Sequence, residues 1–142
     1  MDASQDQADP ISPLWPRFVL QYVPRTRARQ KAVLIAEDEY IIMTDLADAF
    51  RAEGAQVVEA CASVDGAWRF MRSRRPVDVA VLDINLRDDK IYPVADALIA
   101  RGARIAFITG YDCSTIPARF TGVPCFEKPF ELRRVVGSLL AA

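Results

Sequence analysis

Asp83 is the residue whose position in this sequence most favours chemistry. It follows the apolar run 77–82, which predicts a buried strand. A carboxylate at the end of such a strand is costly to bury unless it faces a ligand, a metal or water. Three other apolar runs end in the same way, and the polar residues that follow them are Glu37 and Asp38, Thr109, and Lys128. Three acids, a hydroxyl and an amine together predict a metal-dependent phosphoryl-transfer site.

The composition excludes several common kinds of active site. The 142 residues contain no histidine, which removes Ser-His-Asp and Cys-His catalysis and the usual zinc sites. The three cysteines are Cys61, Cys113 and Cys125. Their odd number and wide spacing predict reduced thiols in a cytosolic protein, and neither a disulfide framework nor a metal site.

Charge and hydropathy limit the partners. The formal net charge of −1 gives no electrostatic reason to expect nucleic acid. The sequence has no run of about 18 apolar residues, so we expect no membrane span. It also has no N-terminal signal peptide pattern, and we therefore expect a cytoplasmic location.

The first 30 residues differ from the rest of the chain. Residues 1–9 are polar and acidic, whereas residues 10–24 combine four of the nine prolines with large apolar side chains such as Trp15 and Phe18. The prolines argue against a continuous helix, and the apolar residues argue against simple disorder. We predict an N-terminal extension over 1–30, flexible or docked on its own domain or a partner, and one domain over 31–142.

Strands and helices are predicted to alternate from residue 31 onwards. The predicted strands are 32–36, 56–60, 77–82, 104–108 and 123–127, and the predicted helices are about 40–53, 63–74, 93–100 and 131–140. Residues 86–90 read as a polar loop, and 110–122 as irregular with at most one short helix. This alternation predicts an α/β fold with a parallel sheet, helices on both faces and the ligand site at the strand C-termini.

The polar residues at the strand ends resemble those of the receiver domain of two-component response regulators. The matching residues are Glu37-Asp38, Asp83, Thr109 and Lys128-Pro129-Phe130. The resemblance covers about 31–142 and implies a flavodoxin-like, doubly wound (βα)5 fold with a five-stranded parallel sheet in the order 2-1-3-4-5. Residues 107–111 (FITGY) also resemble the single-domain group nicknamed FAT GUY, with Ile108 in place of its alanine.

The resemblance implies a role for each site residue. Asp83 would be the nucleophile that takes a phosphoryl group from a phosphohistidine. Thr109 and Lys128 would contact the phosphoryl oxygens. Mg²⁺ would be held by Glu37, Asp38, Asp83 and the backbone carbonyl of Asn85.

Four further positions follow from the same resemblance. Asn85 and Tyr111 stand where receivers modulate hydrolysis of the acyl phosphate, and we expect a cis peptide between Lys128 and Pro129. Cys125 stands where receivers often carry an aromatic residue that rotates inward on activation. The aromatic part of the family's switch is therefore not expected here in its usual form.

The leading interpretation is a stand-alone receiver that signals by protein contacts or acts as a phosphate sink. Its expected partners are a sensor histidine kinase or histidine phosphotransfer protein and a downstream protein, with a homodimer through the last strand and flanking helices as a further option. We expect it to catalyse only its own phosphorylation and dephosphorylation. A non-phosphorylated pseudo-receiver is the alternative. An aspartyl phosphatase is disfavoured because Asn85 replaces the second Asp that serves as general acid.

Overall fold

The apolar runs of the sequence form a parallel β-sheet in the computed structural model, which describes residues 30–141. Five strands make up this sheet: β1 (Ala32–Ala36), β2 (Gln56–Cys61), β3 (Val79–Asp83), β4 (Arg104–Thr109) and β5 (Cys125–Glu127). The helices between and after them are α1 (Tyr40–Ala52), α2 (Val64–Arg72), α3 (Tyr92–Ala100) and α4 (Leu132–Leu140). The prediction for the N-terminal extension lies outside the described residues.

The strand order of the sheet is β2-β1-β3-β4-β5, and every neighbouring pair is parallel. The α/β, flavodoxin-like fold and the predicted order 2-1-3-4-5 are thereby confirmed. Since the strands are parallel, their C-terminal ends meet at one edge of the sheet. That edge carries the residues singled out in the sequence.

Alternate residues of each strand enter two separate cores, because successive side chains of a strand point to opposite faces. On one face, Leu34 and Leu82 pack with buried residues of α2 and α3. On the other face, Ile35 and Val81 pack with buried residues of α1 and α4. Both faces of the central strands are therefore covered, as a parallel sheet requires.

Local signals fix the helix ends close to their predicted positions. Gly54 and Gly102 follow α1 and α3 with φ of 87° and 88°, a left-handed conformation that glycine adopts without strain. Ser63 caps α2, because its hydroxyl accepts a hydrogen bond from the amide of Gly66 at 3.0 Å.

Two segments differ from the prediction. Residues 86–90 do not form a loop: Asn85–Leu86 pairs antiparallel with Asp89–Lys90 in a small hairpin. Its turn residues, Arg87 and Asp88, have φ of 49° and 70°, a geometry usually adopted by Asn or Gly, so these residue types carry no hairpin signal. Residues 110–122 contain two short 3₁₀ helices, Cys113–Thr115 and Ala118–Phe120, and the prediction allowed at most one.

The prediction of reduced cysteines is wrong for two of the three. Cys113 and Cys125 form a disulfide, with Cα atoms 6.1 Å apart. Residues 110–122 fold back onto β5, and this tertiary contact brings together two cysteines that are 12 residues apart. Cys61 is a free, buried thiol, as predicted. Within residues 30–141, none of the helices has the length and apolar character needed to cross a bilayer.

Candidate functional site

Three buried polar residues mark the C-terminal edge of the sheet. Asp83 is the last residue of β3, Thr109 is the last residue of β4, and Glu37 follows β1 directly. Their exposed fractions are 3%, 1% and 0%. They are the buried polar and charged residues found among residues 30–141. Burial of carboxylates at one place requires a compensating charge or ligand there.

Lys128 supplies a positive charge at this place. Its Nζ lies 2.8 Å from Asp83 Oδ2 and 2.9 Å from Glu37 Oε1, and 3.7 Å from Glu39 Oε1. The backbone holds the lysine in position, because its amide donates to the carbonyl of Thr109 at 2.7 Å. The Lys128–Pro129 peptide is cis, as predicted. The ends of β1, β3, β4 and β5 thus converge on one ion-pair network.

Burial raises the pKa of Glu37 to about 7, although the backbone amide of Glu39 and the ammonium of Lys128 act in the opposite direction. The Glu39 amide donates to Glu37 Oε2 at 2.8 Å. Burial would lower the pKa of Lys128, but the hydrogen bonds to Asp83 and Glu37 outweigh it, so this pKa is raised. Lys128 is therefore charged at neutral pH, and Glu37 is close to its midpoint.

The acids at this edge fit a hard divalent cation. Glu37, Asp38 and Asp83 each offer a carboxylate oxygen, and these oxygens lie within 4.8 Å of one another. Glu37 Oε1 is buried, and its polar contact within the described part of the chain is the ammonium of Lys128 at 2.9 Å. A buried oxygen that shares its lysine with Asp83, beside two more carboxylates, suits Mg²⁺, which prefers a few oxygen ligands and keeps several waters. The residues present thus fit the metal that the resemblance implies.

The backbone amide of Asn85 donates a hydrogen bond to Asp83 Oδ1 at 3.3 Å, so Asn85 lies against the Asp83 side chain. The Asn85 side chain instead faces the hairpin, where its Oδ1 accepts from Lys90 Nζ. Asn85 and Lys90 border an open cavity of about 510 Å³. Its lining consists of Ile84, Asn85, Asp88, Lys90, Thr109, Tyr111 and Thr115.

Thr109 and Tyr111 also line this cavity. Thr109 Oγ1 accepts a hydrogen bond from the amide of Tyr111 at 3.0 Å, and an accepting hydroxyl can still donate its own proton. The Tyr111 side chain is 70% exposed at the rim. A ligand in the cavity would therefore lie beside the buried Thr109 hydroxyl. The Tyr111 ring would cover that ligand only after turning inward.

The structure brings together most of the residues that the sequence predicted. Glu37, Asp83 and Lys128 are in direct contact, whereas Asp38 is exposed at their edge. The sequence reasoning missed two contacts. Glu39 extends the acidic run 37–39 and could have been noticed there. The contact of Lys90 with Asn85 depends on the hairpin and had no sequence signal.

Cys125, at the position where receivers often carry an aromatic residue, belongs to the face opposite Phe126. It pairs with Phe107 in the β4–β5 register and packs on the core that contains α2 and α3. Phe126 packs on the other core. An aromatic cluster lies beside Cys125, with ring centroids 5.4 Å apart for Tyr92 and Phe120 and 5.2 Å apart for Phe107 and Phe120.

Comparison with solved structures identifies the family. The chain is similar to the solution structure of SdrG from Sphingomonas melonis Fr1, with 34% identity and a TM-score of 0.68 over 79% of this chain and 94% of SdrG. The BeF3-activated conformation of SdrG from Pseudomonas melonis Fr1 matches with 34% identity and a TM-score of 0.62 over 78% of this chain and 92% of that one.

A response regulator receiver protein from Sinorhizobium medicae WSM419 matches at 22% identity with a TM-score of 0.67, over 79% of this chain and 93% of that chain. No protein-family model matches the sequence, and no curated protein is similar to it. The likeness to SdrG covers 94% of that protein. The chain therefore belongs to the family of response regulator receiver domains.

Proposed function

We propose that Asp83 accepts a phosphoryl group from a phosphohistidine of a sensor histidine kinase or a histidine phosphotransfer protein. One observation carries the proposal: a 3% exposed carboxylate at the tip of β3 contacts Lys128 at 2.8 Å and has Glu37 and Asp38 beside it. A nucleophile, a cation and two further acids are the groups that a magnesium-dependent phosphoryl transfer needs.

Each residue has a defined task in this reaction. An Asp83 oxygen forms a bond to phosphorus while the bond between phosphorus and the donor's imidazole nitrogen breaks. Lys128 exchanges its contact with Asp83 for one with a phosphoryl oxygen, and the Thr109 hydroxyl donates to another. Mg²⁺, held by Glu37, Asp38, Asp83 and the Asn85 carbonyl, would offset the negative charge of the transferring group.

The product adds about 1.5 to 2 negative charges and three acceptor oxygens to the sheet edge. This change would draw Thr109 and residues 110–122 towards Asp83. A downstream protein in the cytoplasm would then bind the altered surface, or the chain would act as a phosphate sink that removes phosphoryl groups from a kinase. The single-domain character expected from the FAT GUY resemblance stays a prediction.

Incubation with acetyl phosphate and Mg²⁺ tests the proposal, with intact-protein mass as the readout. The wild type should gain one phosphoryl group, Asp83→Asn should gain none, and chelation of the metal should prevent the gain. Asp89→Asn is the matched control, because it removes an exposed carboxylate from the neighbouring hairpin. A gain that persists in Asp83→Asn would contradict the assignment. No gain in the wild type would support the pseudo-receiver.

A further inference from the structure

The disulfide between Cys113 and Cys125 joins the two segments that flank the contact between Thr109 and Lys128. Cys113 lies in the first 3₁₀ helix after Thr109, and Cys125 begins β5, the strand that leads to Lys128. A second contact supports the same junction, because the amide of Cys113 donates to Glu127 Oε2 at 3.0 Å. The bridge therefore fastens residues 110–122 to β5 close to the site.

The disulfide restricts residues 110–122, the segment that would move with Thr109 when Asp83 is phosphorylated. Thr109 lies opposite Glu127 in the β4–β5 register, and Phe120 anchors the far end of residues 110–122 in the core. With the bridge closed, the start of this segment cannot move towards Asp83 without pulling on β5. With the bridge open, Cys113 keeps the hydrogen bond from its amide to the exposed Glu127 side chain, which is a weaker tie than a covalent bond.

The position of the two sulfurs also makes them chemically accessible. Cys113 and Cys125 are half-buried in a surface loop and the edge strand β5, whereas Cys61 is 6% exposed and lies inside the core. Thiol reagents and small disulfides that reach the first pair would reach Cys61 only when the domain opens. The three cysteines thus fall into one reactive pair and one protected thiol.

We propose that Cys113 and Cys125 form a reversible redox pair whose closed form holds residues 110–122 to β5 and weakens the response of the Asp83 site to its phosphoryl group. The second half of this inference rests on the proposed function. The co-reactant for closing the bridge is a low-molecular-weight disulfide of the glutathione class, and a dithiol reductant opens it. Small disulfides and dithiols are therefore the class of molecule that reacts with this cysteine pair.

The exchange proceeds in two balanced steps. One cysteine thiolate attacks a sulfur of the small disulfide, which forms a mixed disulfide and releases one small thiol. The thiolate of the other cysteine then attacks the protein sulfur of that mixed disulfide, which forms the internal bond and releases the second small thiol. Two electrons pass from the protein thiols to the small disulfide, and the two thiol protons end on the released thiols.

The first measurement asks whether the pair exists. The full chain is equilibrated in glutathione buffers of increasing oxidised fraction, quenched by alkylation, and mapped by peptide mass spectrometry. We expect the peptides of Cys113 and Cys125 to lose alkylation together and to appear as one cross-linked species. Full alkylation of both residues in the most oxidising buffer, or a bridge that involves Cys61, would overturn the inference.

The second measurement asks whether the pair acts on the site. The affinity for beryllofluoride in the presence of Mg²⁺ is compared between oxidised and reduced wild type. We expect binding about fivefold or more weaker in the oxidised form, within the usual range of coupling between two sites. The double variant Cys113→Ser with Cys125→Ser should bind like the reduced wild type in either buffer.

The outcomes separate the two proposals. Equal affinities of the oxidised and reduced forms would overturn the coupling while leaving the proposed phosphorylation intact. A chain that neither binds beryllofluoride nor gains a phosphoryl group in either redox state would overturn the proposed function, and the coupling with it. In that case, the alkylation pattern of Cys113 and Cys125 still shows whether the disulfide forms.

Discussion

Lys128 Nζ lies between Asp83 Oδ2 at 2.8 Å and Glu37 Oε1 at 2.9 Å, so one ammonium group is shared by two buried carboxylates. Two carboxylates face one ammonium group, so this cluster has an excess of negative charge when both acids are ionised. A cation or a proton is needed to complete the balance. Both the stability of the domain and its affinity for metal should therefore depend on this cluster.

Removal of the lysine tests the cluster directly. Lys128→Ala leaves the two acids without a counter-charge, and we expect a loss of roughly 2 kcal/mol in the free energy of unfolding at pH 8 in metal-free buffer. Millimolar Mg²⁺ should restore part of this loss. Urea denaturation of the variant beside Lys90→Ala, which removes an exposed lysine of the hairpin, measures the effect. Equal stability of all three proteins would refute the role assigned to Lys128.

The raised pKa of Glu37 predicts a pH dependence of stability. Between pH 4.5 and about 7, the folded state keeps a proton on Glu37 that the unfolded state has released. The free energy of unfolding of the metal-free domain should therefore fall as pH rises through this window, by about 1 to 3 kcal/mol from this group. Glu37→Gln should remove that contribution, which denaturation at several pH values would measure.

The control for this experiment is Glu53→Gln, because Glu53 is exposed at the end of α1. The relevant quantity is the difference between the pH profile of each variant and that of the wild type. A pH profile of Glu37→Gln that runs parallel to the wild-type profile would show that Glu37 is not the responsible group.

Tyr111 should affect the lifetime of the phosphorylated state. Its ring stands at the rim of the cavity beside Thr109, where an inward turn would shield the acyl phosphate from water. We expect Tyr111→Ala to hydrolyse several-fold faster than the wild type and Tyr111→Phe, which keeps the ring, to behave like the wild type. The decay of the phosphorylated mass after removal of the phosphodonor gives the rates. Identical lifetimes for Ala and wild type would discard the shielding hypothesis.

Phe120 should be the main anchor of residues 110–122. It is 2% exposed and packs against Tyr92 and Phe107. We expect Phe120→Ala to cost about 3 to 5 kcal/mol in the free energy of unfolding, the usual cost of removing a buried aromatic ring. Tyr111→Ala removes an exposed ring from the same segment and should change stability by at most about 0.5 kcal/mol. Similar losses for both variants in urea denaturation would contradict this assignment.

The sequence predicts the sheet, and the position of Glu37, Asp83 and Lys128 at its edge, because both depend on local patterns. Each strand is a short apolar run, and the parallel arrangement brings all strand ends to one edge. The position of Asp83 after such a run was therefore enough to place it near Glu37 and Lys128. Even the end of α1 at Gly54 follows from one residue's backbone preference.

The features that the sequence did not predict depend on tertiary contacts. The disulfide required residues 110–122 to return onto β5, and the cysteine spacing carried no sign of that path. The hairpin uses Arg87 and Asp88 in a turn that is usually made by Asn and Gly. The raised pKa of Glu37 needed its depth of burial, which no residue pattern reports.

The ion pair between Glu37 and Lys128 joins the first strand of the domain to the residue after its last strand. A contact between such distant parts of a chain contributes only after a long loop has closed, which costs conformational entropy. Under the proposed function, phosphorylation of Asp83 would therefore depend on formation of the whole sheet. During synthesis, a chain shorter than residue 128 would have the acids but not their counter-charge, so the proposed acceptor site would be complete only after the last strand is made.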